Sequence, residues 1–180
     1  MREDDRQLGR IPLAAIGLLA CLLCALAPAG GFAEAAQPSP SALSVRIAGG
    51  DKAPLLLDEE AIKALPQRSF TTLDPWDGKI HEFSGVLLSV LLEKAGAPAQ
   101  AAKITVTARN KYTIPIRRSD CEKYGYLLAW KMDGRPFGDD KATRNRGFAS
   151  IAIDFTGRPE LDPELYKHQL VWQVSEIVVE

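Results

Sequence analysis

Cysteine and histidine, which supply many metal ligands in proteins, are scarce in this 180-residue chain: it has three cysteines and two histidines. Cys21 and Cys24 lie in an apolar N-terminal run. Cys121 is then the one cysteine of the rest of the chain, so no disulfide is expected there. His81 and His168 are too few for a histidine-rich metal site.

An excess of charge of one sign is also missing, because the formal net charge is −1 at pH 7. Nucleic-acid binding calls for a basic face with interleaved aromatic residues, and no such pattern is present. We therefore expect no nucleic-acid partner. The chain also lacks the phosphate-binding glycine motif and the nucleophile motifs of hydrolases.

The N-terminal region has the features of a signal peptide. Arginines precede an apolar run over residues 11–27, and residues 33–35 fit a small-residue cleavage site. We predict a cleaved signal peptide over residues 1–35, a Pro/Ser-rich linker over residues 36–42 and one domain over residues 43–180. The predicted location is therefore periplasmic or secreted, with an uncleaved membrane anchor as the alternative.

Hydrophobic alternation predicts many short strands and few short helices, which is an α+β pattern with a mixed, largely antiparallel sheet. Strands are predicted at residues 43–47, 55–57, 70–72, 80–83, 103–108, 112–116, 126–132, 148–155 and 170–179. Helices are predicted at residues 59–65, 87–95 and 161–168, and another begins near Ser119. The strand at residues 55–57 is expected to be buried.

The chain is organised around residues 69–98, which predict a strand, an Asp-Gly turn, a second strand and an apolar helix. Ser84 and Gly85 are expected to end the second strand, with Ser84 capping the helix. Gly96 closes that helix. Ser119 and Glu122 have the spacing of a capping box for a later helix.

Four segments carry a family resemblance. Residues 83–97, FSGVLLSVLLEKAGA, resemble the "GV-x-L-x-x-L-L-x-x-aG" segment of the oxidoreductase molybdopterin-binding domain, which has the sulfite oxidase fold. Residues 108–112, 128–134 and 144–147 resemble "A-l-N-D-Y", "L-A-Y-x-M-D-G" and "R-D-K-G" of a short, single-domain, exported branch. Some members of that branch are pterin-binding sensor proteins. The resemblance extends from about Leu43 to the C-terminus, and the terminal strand with Trp172 is expected in the core.

The resemblance also identifies departures from the family. In sulfite oxidase-like enzymes a cysteine thiolate upstream of a tryptophan ligates molybdenum, but the matching residues 70–76 contain Thr71 and Thr72 and no cysteine. A threonine hydroxyl stays protonated and is not a soft ligand. We therefore predict no molybdenum cofactor. Cys121 is interpreted as a buried structural thiol, with a metal ligand or redox thiol as alternatives. After Gly147 the branch's "P-L-W-I-x-Y-P" is replaced, which alters the predicted pocket.

The resemblance implies a pterin ligand, and the candidate ligand-binding residues are Trp76, Asn110, Tyr112, Arg144 and Arg146. Trp76 offers an aromatic face, Asn110 a donor and an acceptor, and the arginines a planar fork. Each has an alternative: Trp76 covers the hairpin, Asn110 supports a turn with positive φ, and the arginines are solvated loop charges. We predict no catalytic residue and no metal ligand.

His81 is interpreted as a strand surface residue, because no carboxylate partner is evident in the sequence. The functional hypothesis is an exported, non-catalytic pterin-binding protein that signals to a membrane-bound enzyme. The first alternative is a molybdopterin-dependent oxidoreductase module. The second is a degenerate, ligand-free domain retained for protein contacts.

Overall fold

The computed structural model describes residues 42–139, 141 and 143–180. The predicted signal peptide and the predicted linker up to residue 41 lie outside this part of the chain. The strands in the described part are β1 (Leu43–Ile47), β2 (Leu55–Leu57), β3 (Arg68–Asp74), β4 (Lys79–Leu87), β5 (Lys103–Ala108), β6 (Thr113–Arg117), β7 (Leu127–Met132), β8 (Arg135–Pro136), β9 (Ser150–Ala152) and β10 (Val174–Val179). The α-helices are α1 (Glu59–Lys63), α2 (Leu88–Lys94), α3 (Arg118–Tyr124) and α4 (Pro163–Tyr166), with 3₁₀ turns at Arg144–Arg146 and Lys167–Gln169. No helix in this described part has the length and apolarity needed to span a bilayer.

The strands form two sheets of five strands each. The first has the order β2-β1-β10-β5-β6, in which β1 and β10 are parallel and the other pairs are antiparallel. The second has the order β3-β4-β7-β8, with β9 also paired to β7, and its pairs are antiparallel. The predicted α+β class with mixed, largely antiparallel pairing is confirmed, and the strands are divided between two sheets.

Burial of the strand faces produces two apolar clusters. The larger one combines both sheets with α2, and it includes Leu43 of β1, Val106 of β5, Leu128 of β7 and Leu91 of α2. The smaller one includes Leu127 of β7. Because successive side chains of a strand point to opposite faces, β7 contributes to both clusters.

The central stretch folds as predicted, into β3, a turn, β4 and α2. The turn is closed by a hydrogen bond of 2.9 Å from the backbone nitrogen of Gly78 to the carbonyl oxygen of Asp74. Helix α2 buries Leu88 and Leu91. Gly96 follows the helix with a φ of 72°, as a helix-ending glycine does.

The predicted end of β4 was wrong. The strand continues to Leu87, and no side chain caps α2, so Ser84 is not its cap. A β-bulge between Ser84 and Gly85 lets β4 stay paired with β7. A Cβ atom on Gly85 would lie 2.1 Å from the carbonyl oxygen of Leu128, so glycine is required for this close approach.

The predicted capping box at α3 was also wrong. The helix begins directly after Arg117 and no side chain caps it, which places Ser119 inside the first turn. Glu122 instead accepts a hydrogen bond of 2.8 Å from Nε of Arg118, one turn before it.

Three predicted strands differ from the observed ones. Within residues 148–155 only β9 is a strand, and the Phe155 backbone nitrogen donates to Oγ1 of Thr72 at 2.8 Å. The last strand begins at Val174, because Gln173 has a φ of 54° and interrupts the extended backbone. In β2, Leu56 is 57% exposed because β2 lies at a sheet edge, so this strand is not buried as a whole.

Candidate functional site

A cavity of about 350 Å³ lies between the β3–β4 turn, the β5–β6 turn and the segment that precedes β10. This volume is within the range of about 300–1,000 Å³ that is usual for small-molecule sites. Its lining residues are Trp76, Ala108, Asn110, Tyr112, Lys167, His168, Leu170, Val171 and Trp172. The two hairpin turns belong to different sheets, so the packing of the sheets brings three of the predicted residues together.

Two indole rings form the aromatic part of the cavity wall. The ring centroids of Trp76 and Trp172 are 5.7 Å apart and the ring planes make an angle of 65°. We call this pair the aromatic corner. Trp76 is 51% exposed, so much of its ring surface remains open to a ligand. Flat heterocycles gain affinity from such aromatic faces.

Trp172 was predicted to be in the core and is instead a half-buried residue of the cavity wall. It precedes β10 rather than lying in it, because of the turn at Gln173. Its Nε1 atom is buried without a hydrogen-bond partner among the described residues. The only signal for Trp172 in the sequence was its match to the family's terminal strand. That match indicated a residue of the hydrophobic core and not a residue of a binding site.

Asn110 and Tyr112 of the β5–β6 turn also line the cavity. Oδ1 of Asn110 accepts a hydrogen bond of 3.0 Å from the backbone nitrogen of Tyr112, which supports the β5–β6 turn. The positive φ of this turn is at Lys111 and not at Asn110. The Tyr112 hydroxyl donates to the carbonyl oxygen of His168 at 2.8 Å and so connects the turn to the segment before β10.

The two predicted arginines do not line this cavity. Arg144 is exposed in the 3₁₀ turn. The side chain of Arg146 is 7% exposed and forms an ion pair with Asp74, whose side chain is 2% exposed. Arg146 is therefore not a solvated loop charge. Its guanidinium lies 4.6 Å from the ring centroid of Trp172. Arg146 therefore contacts a residue that lines the cavity without lining the cavity itself.

His81 has two carboxylate partners, contrary to the interpretation from sequence. Its Nδ1 lies 2.7 Å from Oδ2 of Asp133, and its Nε2 lies 3.0 Å from Oδ2 of Asp77. Asp77 belongs to the β3–β4 turn that carries Trp76, and Asp133 to the β7–β8 turn. The pairing of β4 with β7 brings the two turns together. Asp133 is 52 residues from His81 and has no local signal, whereas Asp77 is four residues away, and that spacing was a signal that the interpretation from sequence missed.

The three groups of this cluster perturb one another's protonation. Burial opposes protonation of His81, but its hydrogen bonds to Asp133 and Asp77 outweigh burial and raise the pKa of His81. Burial likewise disfavours the charged carboxylates, but the hydrogen bond to His81 lowers the pKa of Asp77 and of Asp133. The two carboxylates therefore favour the imidazolium form of His81, and the imidazolium in turn favours their charged forms.

Comparison with known proteins identifies the family of the chain. The family model for the oxidoreductase molybdopterin binding domain matches residues 33–142, and the chain belongs to that family. The fold is similar to the crystal structure of the sulfane dehydrogenase SoxCD from Paracoccus pantotrophus, with a TM-score of 0.57 at 15% identity. That match covers 78% of this chain and 39% of the SoxCD chain. No curated protein sequence matches the chain. The predicted resemblance to the sulfite oxidase fold is confirmed.

The residues do not fit a molybdenum centre with a thiolate ligand. Thr72, in the segment where the family has its cysteine, is buried, and its Oγ1 accepts the Phe155 backbone nitrogen. Cys121 is 1% exposed, and burial raises the pKa of its thiol to about 12, so the thiolate is disfavoured. Within residues 42–139, 141 and 143–180, no group of three or more His, Cys, Asp or Glu side chains is suited to a metal ion.

We expect the contribution of His81 to stability to depend on pH. Its pKa is raised in the folded state, so the stabilisation is complete below the unfolded value of about 6.5 and is lost as the pH rises through the folded value. Replacing His81→Gln should lower the free energy of unfolding by about 1 kcal/mol at pH 6, the upper end for exposed pairs, and by less at about pH 9. Urea unfolding at the two pH values measures the difference. An equal effect at both would contradict the prediction.

Proposed function

We propose that the domain binds a flat, pterin-like heterocycle in the cavity at the aromatic corner and does not act as a thiolate-ligated molybdenum enzyme. The observation that carries this proposal is the meeting of Trp76, Trp172, Asn110 and Tyr112 around one cavity. A pterin is aromatic on its faces and has donors and acceptors along its edges. Such a ligand needs stacking surfaces and a few polar groups near the plane of its rings.

The roles of the residues follow from their contacts. Trp76 supplies the exposed stacking face, and Trp172 bounds the ligand at its edge. Oδ1 of Asn110 is engaged by the turn, so its amide nitrogen is the group that donates to a ring acceptor. The Tyr112 ring closes the cavity beside His168. Arg144 and Arg146 lie outside the cavity lining, so the proposal assigns them no direct ligand contact.

Calorimetric titration with oxidised and reduced pterins tests the proposal. We expect a dissociation constant in the micromolar range or tighter. A micromolar constant corresponds to a standard free energy of binding of about −8 kcal/mol. Trp76→Ala should weaken binding by roughly 1–3 kcal/mol, as expected for the loss of a stacked aromatic ring. Ile80→Ala is the matched control, because Ile80 is an exposed apolar residue of the same hairpin that does not line the cavity.

Two outcomes would contradict the ligand assignment: no binding at millimolar concentration, or equal affinity of the wild type and Trp76→Ala. The first result would favour the ligand-free domain retained for protein contacts, and the second would show that the pterin binds away from Trp76.

A molybdopterin-dependent oxidoreductase module is the second candidate function, and the family match and the fold shared with SoxCD favour it. We expect far less than one molybdenum per chain after expression with ample molybdenum, because no thiolate is available at Thr71 or Thr72. Elemental analysis of the purified protein measures this. Near-stoichiometric metal that is lost in Cys121→Ser would overturn the proposal and make Cys121 the ligand.

The proposal includes export and a membrane-bound signalling enzyme as partner. Export is motivated by the apolar run and the small-residue site at residues 33–35. Mass spectrometry of the native protein should find an N-terminus near Ala36, and an intact Met1 in the cytosol would refute export.

The membrane-bound partner is motivated by the resemblance to pterin-binding sensor proteins. Co-purification from detergent-solubilised membranes should recover it, and recovery of the chain alone would count against it.

A further inference from the structure

The two walls of the aromatic corner are connected through a buried carboxylate. Asp74 ends β3, and its Oδ1 accepts a hydrogen bond of 3.0 Å from the backbone nitrogen of Trp76. Its Oδ2 accepts a hydrogen bond from the guanidinium of Arg146. The same carboxylate therefore orients the turn that carries Trp76 and fixes the arginine.

The guanidinium of Arg146 lies close to two aromatic rings. Its central carbon is 4.6 Å from the ring centroid of Trp172 and 5.3 Å from that of Phe83. Planar guanidinium groups stack on aromatic faces, and the attraction is stronger when the cation is desolvated. Asp74, Arg146, Trp172 and Trp76 thus form a closed circuit of contacts.

The backbone around this circuit is tightly packed. The carbonyl oxygen of Arg146 accepts the backbone nitrogen of Gln173 at 2.9 Å, next to Trp172 in the chain. Gly147 has a φ of 67°, and a Cβ atom there would lie 2.8 Å from Cγ of Gln173. The Arg146 segment is therefore held against the Trp172 segment by the main chain as well as by stacking.

We propose that the buried Asp74–Arg146 ion pair is a positioning element of the binding site, which sets the distance and angle between Trp76 and Trp172. The pair does not touch the ligand and acts through the two indoles. The importance of the ion pair for pterin affinity rests on the proposed function. Its effect on the distance and angle between Trp76 and Trp172 does not. The sequence analysis predicted that Arg146 contacts the ligand directly, whereas this proposal gives Arg146 a positioning role.

The test removes both charges at once, because a single replacement would leave an unpaired buried charge and destabilise the fold. In Asp74→Asn/Arg146→Met, the asparagine keeps an acceptor oxygen for the Trp76 backbone, and the methionine keeps the length of the side chain. The matched control is Arg46→Met/Glu176→Gln, which removes a surface ion pair of the other sheet with an N···O distance of 2.6 Å.

The first measurement needs no ligand. Because the two indole centroids are 5.7 Å apart, we expect their electronic transitions to couple and to give a couplet in the far-ultraviolet circular dichroism spectrum. Trp76→Phe should abolish this couplet. We expect the couplet to be lost in the Asp74/Arg146 double variant and kept in the Arg46/Glu176 control. A couplet that survives in the double variant, or a wild type without one, would overturn the proposal.

Arg146→Lys is the second variant, for the event that the double variant does not fold. Lysine keeps the charge beside Asp74 but has no plane to stack on Trp172. We expect a folded protein in which the couplet is reduced at least twofold, and an unchanged couplet would contradict the stacking role.

The second measurement is pterin affinity. The Asp74/Arg146 double variant should bind about tenfold more weakly than the wild type, and the surface control should bind equally. Unchanged affinity after loss of the couplet would overturn the role in binding. If the wild type binds no pterin but the couplet behaves as expected, the ligand assignment fails and the positioning of the two tryptophans by the ion pair stands.

Discussion

Strand β7 is paired along both of its edges and contributes apolar side chains to both clusters, and the arrangement of the second sheet depends on it. Its close pairing with β4 needs a residue without a side chain at Gly85, where the backbone of β7 leaves no room for a Cβ atom. Burial of apolar surface supplies the driving force for folding. The register between β4 and β7 then places the β3–β4 turn beside the β7–β8 turn.

The site occupies the ends of strands from both sheets, and its wall includes groups that are costly to bury. The Asp74–Arg146 pair is almost completely excluded from water, and such a pair is tolerated when both charges are matched and hydrogen-bonded. Buried pairs of this kind are weak evidence for stability but restrict geometry strongly. That restriction is useful where two exposed or half-exposed aromatic rings must hold one orientation.

The domain keeps the fold of its family, but the segment in which the sequence resemblance implies a cysteine ligand contains threonines instead. Thr72 uses its hydroxyl within the fold, as the acceptor for the Phe155 backbone, and is not available as a ligand. Cys121 is a buried residue of α3, and burial raises the pKa of its thiol, which disfavours the thiolate. A shared fold does not by itself establish metal chemistry, since the fold depends on apolar periodicity and metal ligation depends on single side chains.

The amino-acid sequence by itself determined the α+β class, the hairpins, helix α2 and the family, because alternation, Asp-Gly turns and helical spacing are local signals. It also singled out Trp76, Asn110 and Tyr112, which the structure brings to one cavity. Only the tertiary structure decided that Trp172 joins them, that Arg146 is buried on Asp74, and that His81 lies between Asp77 and Asp133. Apart from the local His81–Asp77 pair, these contacts join residues 52 to 96 positions apart or depend on a single φ value at Gln173. Such contacts follow from the register and packing of the two sheets, which no local pattern encodes.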